Sequence, residues 1–138
     1  MKSLLVFISL FLIVVACSPQ QSDPLAGKRW TLVELMGKRV TDTQKIAYLT
    51  FDAKTGHVAG SGGCNSISGG YVLEEPNRIR FTQMISTMMA CMKGMDTEKQ
   101  LLDTLAKTDS YYVNGNRLQL NRARMAPLAV FENDRMVD

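Results

Sequence analysis

Histidine occurs once in this chain of 138 residues, at His57. Zinc takes three or four protein ligands, so a centre built on several imidazoles is excluded. The same scarcity leaves a cysteine nucleophile at Cys64 with one candidate base, seven residues away, and no Cys/His/Asn constellation. Charge is nearly balanced, 16 Lys+Arg against 13 Asp+Glu for a net of +3, which gives no nucleic-acid footprint. No apolar run reaches the roughly 20 residues that span a bilayer. The glycine-rich stretch Gly60–Tyr71 lacks the Gly-Lys-Ser/Thr of a phosphate loop. Gly60 and Gly62 do not continue into a dinucleotide fingerprint either, because position 65 is Asn. Cysteine is confined to Cys17, Cys64 and Cys91.

The chain begins with the short basic start Met1-Lys2-Ser3. Thirteen residues follow, Leu4 to Ala16, with Ser9 their only polar member. That run is too short to cross a membrane and suits the core of an export signal. Its end, Val14-Val15-Ala16-Cys17, resembles the lipobox of bacterial lipoproteins. The expectation is a signal peptide over 1–16, lipidation at Cys17, a tether over 17–24 and one folded domain over 25–138. Two or more acyl chains would hold it stably to a membrane. Ser18 is not the aspartate that favours inner-membrane retention, so the expected address is the outer membrane, facing the periplasm. Loss of residues 1–16 removes Lys2 and lowers the net charge to +2.

With Cys17 assigned to lipid, Cys64 and Cys91 remain as a pair. In an oxidising compartment they are expected to bridge, closing a loop worth about 3–4 kcal/mol of unfolded-state entropy. The five glycines in Gly60–Tyr71 then read as architecture, a bulge or tight bend.

Alternating apolar and polar residues predict strands over 30–36, 46–51, 57–60, 70–74 and 78–81. The period changes at 96–107, where Leu101, Leu102 and Leu105 mark one face of a helix. Thr97 and Gln100 resemble a capping box there. Strands over 110–113 and 117–120 flank Asn114-Gly115, a hairpin signal for a type I′ turn, and 128–131 makes a last strand. The fold is strand-dominated with one helix. Arg78, Arg80, Arg117, Arg122 and Arg124 alternate with apolar residues and are expected on solvent-facing sheet positions.

Met84, Met88, Met89, Met92 and Met95 crowd into twelve residues around Cys91. Flexible thioethers fill cores or line adaptable apolar grooves. The core reading is preferred for the cluster as a whole, with a ligand groove at Met84, Met88, Met92 and Met95 beside it. Thioether and thiolate also suit Cu(I), which makes a copper-handling lipoprotein an alternative.

Gly63-Cys64-Asn65 with Gly69 and Tyr71, then Thr87, Met89, Ala90 and Cys91, then Glu98 opening a leucine-bearing helix, resemble the META domain of HslJ-like, heat-shock-associated envelope proteins. Trp30 supplies that family's strand tryptophan. The resemblance implies an α+β domain, a strongly curved, barrel-like antiparallel β-sheet with one main helix packed against it. It also implies a lipid-anchored, non-enzymatic protein without catalytic residues, metal or cofactor. The implied partner is a protein or apolar small molecule, in heat or envelope stress or antibiotic tolerance. A pilotin-like role in secretion is a further alternative.

Overall fold

Trp30 and Leu32 turn inward along β1 (Arg29–Leu35) while Arg29 faces solvent, and an irregularity between Leu32 and Glu34 returns Leu35 to the inward face. The computed structural model describes residues 22–133. After β1 the chain runs through β2 (Lys38–Arg39), β3 (Tyr48–Asp52), β4 (His57–Ser61), β5 (Ser66–Glu74) and β6 (Arg78–Ser86). It then forms α1 (Met95–Lys107), β7 (Ser110–Asn114), β8 (Arg117–Asn121) and β9 (Ala129–Asn133). All pairings are antiparallel. The order is β1-β3-β4-β5-β6-β7-β8-β9, and β9 pairs back to β1, which closes a ring of eight strands; β2 lies at the end of β1. The expected α+β architecture, a strongly curved antiparallel sheet with one helix, is what the chain forms.

The ring is unevenly closed. Neighbouring hairpins share several residue pairs, but β6 meets β7 through a single pair, Arg78 and Ser110. Two flanking backbone bonds add to it, from Ile79 N–H to Asp109 O at 3.2 Å and from Tyr111 N–H to Asn77 O at 3.0 Å. Helix α1 connects these two strands and packs chiefly against β6, with lesser contact to β1. Leu101 and Leu105 carry the helix into the core, both fully buried beside Trp30, Leu49, Leu118 and Phe131. The ring of Phe51 meets Tyr71 edge-on at 4.9 Å between centroids, a favoured aromatic geometry.

Several details differ from the sequence expectations. β2 lies outside them, because two exposed residues carry no periodic signal. Met36 and Gly37 both take positive φ, 50° and 77°, which makes a tight β1–β2 hairpin. The β7–β8 turn falls one residue later than the Asn114-Gly115 signal. Asn114 already pairs with Arg117, so Gly115 and Asn116 form the loop, and of these only Gly115 has positive φ. The type I′ expectation, which needs positive φ at both loop positions, is therefore not met. The capping box does not form either. Thr97 lies inside a helix that starts at Met95, behind an N-cap Gly94 with no side-chain cap. Eight of the twelve residues of the glycine stretch are strand, Gly60 and Ser61 in β4 and Ser66–Tyr71 in β5, and the expected bulge falls at Gly69, where the β5–β6 register shifts. Among the described residues no helix is long and apolar enough to cross a membrane. Residues 1–21, including the expected signal peptide and Cys17, lie outside the described residues.

Candidate functional site

Asn65 ends the loop from β4 to β5, and its side chain stands in for a missing strand neighbour. Its Oδ1 accepts the Met89 N–H at 2.8 Å, and its Nδ2 donates to the Met89 carbonyl at 3.2 Å. One amide thus satisfies both backbone groups of a residue in a segment without regular structure. The Thr87 hydroxyl donates to the same Oδ1 at 3.1 Å, and the Thr87 N–H reaches Ser66 O at 3.0 Å. From the first turn of α1, the buried Glu98 carboxylate accepts the Asn65 N–H at 2.5 Å and Nδ2 at 3.0 Å. A carboxylate at that place is also favoured by the helix dipole.

This crossing demands glycine. Gly94 holds φ at 92°, and a Cβ there would stand 2.5 Å from Gly63 O; a Cβ on Gly62 would collide with Glu98 Cγ. Contacts that short are incompatible with any side chain. Cys64 and Cys91 bridge across the same crossing, their α carbons 5.9 Å apart, as expected from the sequence. Among the described residues every buried side-chain nitrogen and oxygen has a hydrogen-bond partner. Gly63, Cys64, Asn65, Thr87, Met89, Cys91 and Glu98 therefore form one structural junction.

The other anticipated residues lie apart from it. Trp30 is buried in the core and donates Nε1–H to Leu25 O at 2.9 Å. Gly69 sits where the β5–β6 register shifts, and Ala90 is exposed beside the disulfide. The methionines are not core, which corrects the preferred sequence reading. Met88 and Met92 are 98% and 99% exposed, Met89 and Met95 are exposed as well, and only the partly buried Met84 packs on the core. Met88, Met89 and Met92 lie on the connection that follows β6, whose backbone the junction holds, and Met95 opens α1 with its side chain exposed. The arginines are exposed as expected, but Arg122 and Arg124 occupy the loop between β8 and β9 rather than a strand. His57 is exposed at the start of β4. Among the described residues no three His, Cys, Asp or Glu side chains cluster as metal ligands.

Two clefts bear on where a ligand could sit. One, of about 460 Å³, runs along β1 past Ile46, Arg39, Arg117 and Glu132, where Arg117 Nη1 and Glu132 Oε1 stand 3.6 Å apart. The other, of about 550 Å³, opens where Ser22–Pro24 meets the β5–β6 turn, with Tyr71, Glu75, Pro76 and Tyr111 in its wall. Neither contains the methionines. Asp23, assigned by sequence to the tether, is fixed in the second cleft. Its Oδ1 accepts the N–H groups of Leu25 at 2.8 Å and Ala26 at 3.2 Å, and its Oδ2 accepts the Tyr71 hydroxyl. Burial, then the hydrogen bond to Asp23 and the charges of Asp23 and Asp52, raise the Tyr71 hydroxyl above its ordinary value. Burial raises the Tyr111 hydroxyl too, helped by the charges of Asp23 and Glu75. Sequence reasoning misses this cleft because its walls come from four separate segments, at 22–24, 53–56, 71–76 and 111. Of its lining, Tyr71 alone belongs to the motif residues.

Comparison with known proteins bears on the fold. A protein from Burkholderia xenovorans solved by NMR is 24% identical with a TM-score of 0.64, over 80% of this chain and 84% of that one. A second NMR structure is 22% identical at a TM-score of 0.62, over 78% of this chain and 90% of that one. A crystal structure of a DUF4847 family protein from Bacteroides vulgatus is 13% identical at 0.56, over 80% and 93%. No curated protein matches. The META domain pattern matches residues 23–135, nearly all of the chain beyond the expected tether. The chain belongs to the META domain family.

Proposed function

We propose that this META domain is a non-catalytic binding module of the bacterial envelope, held by lipidated Cys17. Its cleft at Tyr71 and Tyr111 receives an apolar-bodied small molecule or a partner segment. The observation that carries the reading is the cleft's place beside Ser22, Asp23 and Pro24. Five peptide steps separate Cys17 from Ser22, a reach of at most about 18 Å. The cleft would therefore open within that distance of the lipid attachment. Its volume of about 550 Å³ falls in the range of roughly 300–1,000 Å³ usual for small-molecule sites. The bridged sulfur of Cys64 offers no thiolate for catalysis.

The test is to isolate the protein from membranes and analyse the small molecules and lipids that accompany it. Wild type should carry a compound that Tyr111→Ala loses, and Cys17→Ser should leave the membrane fraction. Identical co-purifying material in both proteins would sink the cleft, and membrane retention of Cys17→Ser would sink the anchor. The stress role implied by the resemblance belongs to the proposal too: deletion should lower survival of heat or antibiotics, and unchanged survival removes it. The copper-handling alternative is left with thioethers alone, since Cys91 is bridged, and absence of Cu(I) binding by oxidised and reduced protein would end it. In the pilotin-like alternative the same cleft holds a secretion-partner segment.

A further inference from the structure

The chain carries a net charge of +3, yet the cleft beside Ser22–Pro24 is lined by Asp23, Glu74 and Glu75 and by no lysine, arginine or histidine among the described residues. Two tyrosines, Tyr71 and Tyr111, and the apolar Val72, Leu73 and Pro76 make up much of the remaining wall. Of the three carboxylates, only Glu74 has a basic partner among the described residues. Its Oε1 stands 3.4 Å from Arg80 Nη2, with both side chains more than 60% exposed, and so weakly coupled. Burial is the first cause of the raised ionisation of both tyrosines, and the carboxylates add to it, Asp23 acting on both, Asp52 on Tyr71 and Glu75 on Tyr111.

We infer that the cleft selects ligands that carry a cationic nitrogen on an apolar body, an alkyl- or arylammonium rather than an alcohol or a carboxylate. This rests on the binding role proposed for the cleft and adds its ligand class. Carboxylates attract the ammonium, tyrosine rings attract cations through their π faces, and the apolar wall takes the hydrocarbon. A bare metal ion fits less well, because among the described residues no three carboxylates converge.

The test uses the full mature chain made without lipid, as Cys17→Ser, titrated with hexylamine, 1-hexanol and hexanoate at pH 7 and followed by NMR of backbone amides. Hexylammonium should shift the amides of Tyr71, Val72, Glu75 and Tyr111 and bind at least about fivefold more tightly than hexanol, and hexanoate should bind least. The double substitution Glu74→Gln/Glu75→Gln, at exposed positions, should bring hexylammonium to the level of hexanol and leave hexanol and the melting temperature unchanged. Glu75→Gln alone, which leaves the Arg80 pair intact, should show about half of that loss on a logarithmic scale. Equal binding of amine and alcohol overturns the inference and leaves the apolar-ligand reading standing. An amine preference that survives both variants overturns it as well. No shift at the cleft with any probe removes the inference together with the binding reading.

Discussion

Asn65 and Glu98, 33 residues apart, hold each other by two hydrogen bonds, from the Asn65 backbone N–H to Oε2 and from Nδ2 to Oε1. This contact joins the β4–β5 loop to the first turn of α1. The Asn65 amide also carries both backbone groups of Met89, so one side chain ties three segments of chain together.

Asn65→Ala should therefore cost about 3 kcal/mol of stability, because it strips buried partners from Glu98 and Met89 at once. Asn65→Asp should cost at least as much at neutral pH, since it sets a second carboxylate against Glu98. Urea unfolding of the oxidised protein measures both. A loss below about 1 kcal/mol for the alanine variant would show that water replaces the amide.

Glycine substitutions should separate close approach from turn conformation. Gly94→Ala combines φ of 92° with a collision against Gly63 O, whereas Gly115, at φ 59°, has open space around it. The first should cost more than about 2 kcal/mol and the second about 1 kcal/mol. Equal losses in thermal or urea unfolding would mean that the crossing relaxes.

Mild peroxide should oxidise Met88 and Met92 first and Met84 last, following their exposure. Peptide mapping by mass spectrometry gives the order. Modification of the first two should change stability by less than about 0.5 kcal/mol, as expected of side chains without packing. A larger loss would place them against a surface.

Alkaline stability should depend on Tyr71. Its folded-state hydroxyl ionises above the ordinary value of 10.0, so the unfolded chain releases this proton first. The tyrosine's contribution is complete below about pH 10 and declines as the pH rises through the folded-state value. Tyr71→Phe should lose less stability than wild type between pH 9 and about pH 11. Parallel losses in denaturant titrations would remove this link.

Most of the sheet is legible in the sequence because parts of its strands alternate, Trp30 with Leu32 in β1, Leu49 with Phe51 in β3 and Ile79 with Phe81 in β6, and α1 because Leu101, Leu102 and Leu105 share a face. The Cys64–Cys91 bridge follows from compartment and number. What cannot be read are features made by distant approach. Asp23 resembles tether because a lone aspartate gives no sign that Tyr71, 48 residues on, will donate to it. Gly94 gives no sign in the sequence because the atom that forbids a side chain there is the carbonyl oxygen of Gly63, in the β4–β5 loop. The methionines mislead because apolar composition says nothing of exposure where periodicity is lost.

The narrow contact between β6 and β7 makes the ring a bracelet whose clasp is the span from Thr87 to Ser110. Asn65, Glu98 and the disulfide fasten one side of that clasp, and Arg78 with Ser110 fastens the other. The cleft lies at this second fastening, with Glu75 before β6 on one side and Tyr111 of β7 on the other. A molecule seated between them would press the clasp shut, so occupancy should be felt as slower opening of the whole bracelet.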